Sequence, residues 1–284
     1  MNFYTFLDLT RIEHSFMLAL ATIIGEILVL GSVPSIDFLL LTAAPPFLIG
    51  IAAFSLNDLL DVEADRINRR TDRPLVSGSA SKRDAIDITL FGFIFGNGIA
   101  FFISWPAFLI ALFFSLFAIL YNIILKDLPL LGNVYIASTM AIPFLFGSVV
   151  AANTITDSIA VISTIAFLVG LGRELMKTAE DVEGDEQARK STTLPIVIGV
   201  EKTILIGAAL YVLAIFLSFI PVQSEGPYSW DPAYFIPIAC ADALFAFAAY
   251  KPVMEGKSAL RNARNLTLLA LGVGLIGFLA GALM

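Results

Sequence analysis

The sequence predicts an all-helical integral membrane protein that crosses the bilayer nine times. Of its 284 residues, 58% are hydrophobic and only 14% are charged, whereas a soluble domain has about 25% charged residues. The apolar residues gather in long uncharged blocks, for example 88–123 and 134–155. Because about 20 apolar residues in a helix span a hydrocarbon core about 30 Å thick, these blocks indicate membrane-crossing helices.

The membrane spans follow one another along the chain with short connections. In order, the apolar blocks predict helices over residues 15–31, 37–57, 84–103, 106–124, 132–151, 158–176, 201–220, 233–250 and 265–283. Alternating them across the bilayer places all 17 Lys and Arg on one side, with the N-terminus and the connections 58–83, 125–131, 177–200 and 251–264. The positive-inside rule makes this side cytoplasmic and puts the C-terminus outside.

The cysteine and histidine content limits the possible chemistry. The single Cys240 excludes an internal disulfide bond and a cysteine-cluster metal site. The single His14 argues against a zinc or haem centre held by histidines. The first residues lack the features of a signal peptide, and no linker divides the chain. We therefore expect one membrane domain over residues 1–284.

An acidic cluster follows the second span. Asn57, Asp58, Asp61 and Asp65 form the pattern N-D-x-x-D-x-x-x-D. At 3.6 residues per turn, these four side chains fall within an arc of about 100° on one helix. They therefore present a single acidic face where the second span leaves the membrane.

A second charged cluster follows the sixth span, in the segment RELMKTAEDVEGD. Arg173, Lys177, Asp181 and Asp185 recur every four residues, so they form one stripe along a helix, basic near the membrane and acidic further out. By the alternation of spans, the second and sixth helices both run towards the cytoplasm. We therefore expect the two clusters to meet at the cytoplasmic face.

The arrangement of these acids predicts a magnesium site. Solvated helix ends are the simplest explanation for charge at a membrane boundary. However, carboxylates near a helix C-terminus oppose the helix dipole at a cost of about 0.3–1 kcal/mol each, and they repel one another at a spacing of four residues. Mg²⁺ removes both penalties because it binds carboxylate oxygens together with substrate phosphate oxygens.

The motifs together resemble a known family. N-D-x-x-D-x-x-x-D, then R-P-x-x-x-G at residues 73–78, then R-E-x-x-K-x-x-x-D-x-x-G-D are similar to the motifs of the UbiA superfamily of intramembrane prenyltransferases. The resemblance covers nearly the whole chain. It implies a helical bundle around a central cavity, capped by loops at about 58–83, 125–131 and 177–200. It also implies two Mg²⁺ ions that hold the diphosphate of a polyprenyl donor.

The resemblance assigns roles to individual residues. It implies metal ligation by Asn57, Asp61, Asp181 and Asp185, and leaves open whether Asp58 and Asp65 ligate directly. The bases expected at the diphosphate are Arg66, Arg73, Lys126, Arg173 and Lys177. Of all these, Asp61, Asp181, Lys177 and Arg73 are expected to be catalytic, because divalent ions and bases stabilise the charge that develops on a leaving diphosphate. Tyr121 and Asn122 are expected to face the cavity.

The acceptor is the more open question. The segments TRIEHS and KDLPLLGN resemble the archaeal branch of the family, which transfers geranylgeranyl to the hydroxyl of geranylgeranylglyceryl phosphate. Arg11 and His14 would then meet the acceptor phosphate, although they could instead anchor the first helix at the interface. An aromatic acceptor such as 4-hydroxybenzoate is the alternative within the family.

A cation-binding transporter is the alternative from another class of protein. It is disfavoured because the acids lie at one face and no inverted repeat is visible. We expect membrane lipids as surroundings, and neither nucleic acid nor an obligate protein partner. The length of the donor chain depends on the depth of the cavity, which the sequence does not give.

Overall fold

The computed structural model describes residues 1–67, 70–189, 192–224 and 226–284, with the backbone alone over 183–189. The described chain is helical. The helices are α1 Phe3–Thr10, α2 Ile12–Leu30, α3 Ile36–Ile67, α4 Pro74–Ser77, α5 Lys82–Ile103, α6 Trp105–Ile123, α7 Leu131–Ala152, α8 Asp157–Arg189, α9 Leu194–Ile198, α10 Val200–Ser218, α11 Ile220–Gln223, α12 Pro232–Glu255 and α13 Leu260–Ala282, with 3₁₀ turns at Leu125–Asp127 and Gly256–Ala259.

The long helices agree with the predicted spans. Eight stretches of the described residues are long and apolar enough to cross a membrane. The last of them, Pro232–Ala282, contains both α12 and α13, which the 3₁₀ turn Gly256–Ala259 separates. The described chain thus has nine long helices, and the prediction of a multi-pass membrane protein is confirmed.

Two of the spans are longer than predicted. α3 ends at Ile67 rather than near residue 57, and α8 continues to Arg189 rather than ending near 176. The extensions stay helical because they still have apolar partners: Val62 is buried in a cluster with Leu9 and Leu75, and Ala179 is buried in the main core. The first parts of the predicted cap loops 58–83 and 177–200 therefore belong to α3 and α8.

A short helix precedes the first span. In α1, the Asn2 side chain accepts a hydrogen bond from the Thr5 backbone N–H and caps the start of the helix. The helix ends at Arg11, whose backbone is left-handed with φ of 43°. Residues other than glycine rarely adopt this left-handed conformation, so the turn at Arg11 is constrained. The turn leads directly into α2 and places Arg11 beside the end of α3.

The long helices pack in a closed order. α2 packs on α3 and α7, and the sequence of neighbours continues through α8, α10, α12 and α13, which returns to α2. The contact between α2 and α7 depends on glycine: a Cβ at Gly25 would collide with the carbonyl of Phe144, and one at Gly147 with the carbonyl of Thr22. Small residues allow such close helix packing in membranes. These helices, together with α3 and α6, line a central cavity.

Candidate active site

The central cavity has a volume of about 810 Å³ and two chemically different ends. Its deeper part is lined by apolar side chains from several helices, among them Ile49, Phe114, Phe144, Val169 and Leu271. The other end, the mouth, is lined by charged and polar groups at the cytoplasmic ends predicted for α3 and α8. Such a cavity can hold a long apolar chain that ends in a charged head group.

The first acidic cluster is held together by hydrogen bonds from three parts of the chain. The Asn57 side-chain amide on α3 donates to Asp61 Oδ2 at 3.0 Å and to Asn122 Oδ1 on α6 at 2.8 Å. Lys126 Nζ, from the 3₁₀ turn after α6, lies 2.5 Å from Asp61 Oδ1. All four residues line the mouth, so this network presents both acid and base to the cavity.

Asp58 has a different place from its neighbours in the motif. It is buried with 2% of its surface exposed and is not among the residues that line the cavity. Arg11 Nη2 lies 2.6 Å and Arg73 Nη1 lies 3.4 Å from its Oδ1. Arg73 Nε is also 4.0 Å from Asp65 Oδ2. Asp58 therefore holds Arg11 and Arg73 from the side away from the cavity, whereas Asp61 and Asp65 line the cavity.

The second cluster lies opposite on α8. Glu174 is buried and pairs with Arg173 at 3.5 Å and with Lys177 at 3.3 Å. Glu180, six residues beyond Glu174 on the same helix, accepts a hydrogen bond of 2.7 Å from Arg264 on α13. Arg173, Lys177 and Asp181 line the same mouth as the first cluster. The predicted meeting of the two clusters is therefore observed for the described side chains.

The residues at the mouth fit a magnesium ion by their chemistry, although they do not form a preassembled metal site. Among the side chains that the structure describes, no three Asp, Glu, His or Cys residues are grouped closely enough to hold a metal. However, Asn57, Asp61, Asp65 and Asp181 supply oxygen atoms from both clusters to one end of the cavity. Such oxygen donors suit Mg²⁺ together with substrate phosphate.

Comparison with protein families identifies this architecture. The model described as the UbiA prenyltransferase family matches residues 18–269, which includes both clusters and all nine long helices in whole or in part. The chain belongs to the UbiA prenyltransferase family.

Individual relatives agree with the family assignment. The chain is 38% identical over 276 residues to the digeranylgeranylglyceryl phosphate synthase of Archaeoglobus fulgidus, covering 97% of this chain and 94% of that protein. A solved structure that concerns digeranylgeranylglyceryl phosphate synthase in membranes has a TM-score of 0.76 at 29% identity, covering 98% of both chains. A UbiA homologue from Archaeoglobus fulgidus bound to GPP and Mg²⁺ has a TM-score of 0.66 at 18% identity, covering 96% of this chain and 99% of that one.

Most residues that the sequence singled out lie together in this UbiA-type cavity. The mouth is lined by Arg11, His14, Asn57, Asp61, Asp65, Arg73, Tyr121, Asn122, Lys126, Arg173, Lys177 and Asp181. Arg66 has a different place from the predicted one, because it is exposed on the surface of α3, pairs with Glu63 at 3.0 Å, and is not among the lining residues. The Asp185 side chain lies outside the described residues.

Sequence reasoning missed five charged residues that line the mouth, namely Arg70, Glu174, Glu180, Lys257 and Arg264. Both glutamates lie within the second motif: Glu174 directly follows Arg173, and Glu180 directly precedes Asp181. Their position next to residues of the predicted stripe could have indicated that they line the site. In the sequence, Lys257 and Arg264 are part of a basic connection expected on the cytoplasmic side. The place of Arg264 beside Glu180 depends on the packing of α13 against α8, which the sequence alone does not reveal.

Proposed function

We propose that this chain is a Mg²⁺-dependent prenyltransferase that moves a geranylgeranyl group from geranylgeranyl diphosphate to the free hydroxyl of geranylgeranylglyceryl phosphate. The observation that carries the proposal is a single cavity that joins two facing charged clusters to an apolar interior. The choice of substrates is supported by the relative of 38% identity over nearly the full length, which is named for synthesis of the doubly geranylgeranylated lipid. The homologue bound to GPP and Mg²⁺ supports a prenyl diphosphate as donor.

The bases at the mouth would bind the diphosphate. Arg73, Lys126, Arg173 and Lys177 come from separate parts of the chain and line one end of the cavity. The Nε atoms of Arg73 and Arg173 are buried and, among the described residues, have no hydrogen-bond partner. A buried donor without a hydrogen bond is costly, so an anion with several acceptor oxygens would supply the hydrogen bonds that these two groups lack.

The acids would hold the metal. We propose that Asn57, Asp61, Asp181 and Asp185 ligate two Mg²⁺ ions, with Asp65 at the edge of the site and Asp58 acting through Arg11 and Arg73. Bound Mg²⁺ supplies electrostatic stabilisation to the departing diphosphate. Because Asp61 already pairs with Lys126 at 2.5 Å, substrate binding would exchange this ion pair for contacts in which Lys126 meets a phosphate oxygen.

The reaction breaks one bond and forms another. The bond between the first carbon of the prenyl chain and the diphosphate oxygen breaks, and the electron pair leaves with the diphosphate. The hydroxyl oxygen of the acceptor forms an ether bond to that carbon, and its proton would pass to the released diphosphate. The apolar lining excludes water, which would otherwise capture the allylic cation. The rings of Phe114, Tyr121 and Tyr135 line the cavity, and aromatic faces attract a cation.

The acceptor phosphate would bind near the start of α2. His14 lines the mouth and packs edge-on against Phe54, with the ring centres 5.6 Å apart. Arg11 lies over the same ring at 5.0 Å and is fixed by Asp58. Arg11 gives this side of the mouth, next to the first cluster, a positive charge, and His14 adds a ring that can form hydrogen bonds. We further propose that this mouth faces the cytoplasm.

The assignment is tested with purified protein and labelled geranylgeranyl diphosphate. We expect Mg²⁺-dependent release of pyrophosphate and a doubly prenylated product with geranylgeranylglyceryl phosphate, and no product with 4-hydroxybenzoate. Transfer to 4-hydroxybenzoate alone would show that the acceptor is aromatic. No pyrophosphate release with either acceptor would contradict the enzyme assignment itself.

A further inference from the structure

The deep end of the cavity is closed by a polar pair rather than by apolar side chains alone. Ser218, the last residue of α10, donates a hydrogen bond from its Oγ to Asp242 Oδ2 on α12 at 2.7 Å. Tyr234 Oη donates to the carbonyl oxygen of Ser218 at 2.9 Å, which fixes the end of α10 in place. Both Ser218 and Asp242 line the cavity.

A second, much smaller pocket of about 40 Å³ lies on the other side of this pair. Ser218, Ile238 and Asp242 line both the large cavity and the small pocket. On its far side the small pocket is bounded by apolar residues that include Phe219, Val222 and Phe235. The three shared residues therefore form a thin wall between two spaces, and we call this wall the floor.

The floor lies below the diphosphate end of the cavity along shared helices. On α13, Arg264 lines the mouth and Phe278 lines the deep end, fourteen residues apart, which corresponds to about 21 Å along a helix. On α8, Lys177 at the mouth is followed inwards by Val169 and Ile165. A prenyl chain whose diphosphate is bound by α8 would run along these helices and end at the floor.

We propose that Ser218, Ile238 and Asp242 set the longest donor chain that the protein accepts. This inference rests on the proposed function, since it presumes that the cavity holds a prenyl diphosphate. A longer chain would have to pass between Ser218 and Asp242 and break their hydrogen bond. Ser218 Oγ can still donate to the carbonyl oxygen of Ile215, but the Asp242 carboxyl would be left facing methyl groups. Buried polar groups without partners are strongly disfavoured. A polar floor therefore limits chain length more sharply than an apolar floor, which can adjust by rotating side chains.

The test compares farnesyl, geranylgeranyl and geranylfarnesyl diphosphates as donors. In the wild-type protein we expect efficient transfer of geranylgeranyl and poor transfer of the longer chain. Asp242→Ala and Ile238→Ala open the floor from two independent positions, and each is expected to raise the rate with geranylfarnesyl diphosphate relative to geranylgeranyl diphosphate at least tenfold. Ser218→Ala should act in the same direction.

Gly274→Leu provides the opposite change. Gly274 lines the cavity, and a Cβ added there would meet only the Ala241 methyl group at 4.0 Å, so a side chain can enter the space without a collision. We expect this variant to prefer farnesyl diphosphate. Ser148→Ala is the matched control, because it also removes a buried serine hydrogen bond near the end of a long helix but does not line the cavity. Its donor preference should equal that of the wild type.

Binding measurements separate this proposal from the proposed function. The thermal midpoint of each variant in detergent, with and without each diphosphate, reports chain-length preference even where no transfer occurs. Absence of transfer by the wild type with every donor would contradict the proposed function. The floor is contradicted if the opened variants bind and use the three donors in the wild-type order, or if only the preference for acceptor chain length changes.

Discussion

Each acid of the first cluster meets a base that comes from elsewhere in the chain. Asp61 pairs with Lys126, and Asp58 pairs with Arg11 and Arg73. Removing one member of a buried pair leaves the other charge uncompensated, which is strongly destabilising. The two aspartates nevertheless differ in position, because Asp61 lines the cavity whereas Asp58 lies behind it. Contacts in the folded chain, rather than spacing in the motif, therefore distinguish the acid that faces the cavity from the buried one.

Substitution of the cavity-facing acids tests the metal assignment. We expect Asp61→Ala and Asp181→Ala each to lower the rate of transfer by on the order of 10²–10³-fold, as loss of a group that stabilises transition-state charge does. Pyrophosphate release at saturating Mg²⁺ measures the effect, and the elution profile in detergent reports folding.

Glu63→Ala is the control for these variants. Glu63 lies on the same helix two residues beyond Asp61, but it is exposed and pairs only with Arg66 among the contacts described. Its loss should leave the rate within a factor of two, because Glu63 does not line the cavity, and should change stability little, because an isolated surface ion pair contributes about 0–1 kcal/mol. If Asp61→Ala were as active as Glu63→Ala, Asp61 would not belong to the metal set.

The helices show which features of the fold the sequence can predict. Blocks of about 20 apolar residues gave the number and order of the spans, because the thickness of the bilayer sets that length. The sequence places the ends of α3 and α8 ten or more residues too early, because the apolar blocks stop where charged residues begin although both helices continue. Apolar residues at helical spacing, such as Val62 and Ala179, keep both helices packed beyond that point.

The same limit applies to the candidate site. Residues within one helix, such as Asp61 and Asp65, could be placed on a common face from their spacing alone. The contact of Arg264 with Glu180 joins residues 84 apart in sequence, and it depends on how α13 packs against α8. The floor formed by Ser218 and Asp242 depends likewise on the crossing of α10 and α12. Motifs therefore predicted the mouth well and the deep end not at all.

The glycine contact between α2 and α7 gives a prediction at the scale of the helix. In Gly147→Ala the new Cβ would collide with the backbone carbonyl of Thr22, which cannot rotate away. We expect a loss of about 1–3 kcal/mol in the free energy of unfolding, typical of overpacking, measured as a lower thermal midpoint in detergent.

Gly98→Ala is the matched control for this prediction. Gly98 lies within α5, and a Cβ there would meet nothing within 4 Å. Alanine is also the better helix former, so the thermal midpoint should stay unchanged or rise. A decrease as large as that of Gly147→Ala would show that glycine content, rather than the contact of α2 with α7, determines stability.

At the scale of the whole molecule, charge divides the protein into two ends. The Lys and Arg side chains that the structure describes lie at or near the end of the bundle that holds the cavity mouth, and the sequence has none in the connections at the other end. The same charges thus have two consequences. They attract a diphosphate to the mouth, and by the positive-inside rule we expect them to orient the mouth towards the cytoplasm. A water-soluble diphosphate head group and a membrane-dissolved chain would both reach such a site without crossing the bilayer.

The orientation can be tested with single cysteines. Cys240→Ser removes the exposed native thiol, after which Ser224→Cys and Ser258→Cys place exposed thiols at opposite ends of the bundle. In intact cells, a membrane-impermeant maleimide should label Ser224→Cys and spare Ser258→Cys, since the basic connection 251–264 is retained on the cytoplasmic side. Permeabilised cells, in which both variants should react, control for local accessibility. Labelling of Ser258→Cys alone in intact cells would show that the topology is the reverse of the expected one. Because the mouth and residue 258 lie at the same end, the diphosphate would then have to reach the mouth from outside.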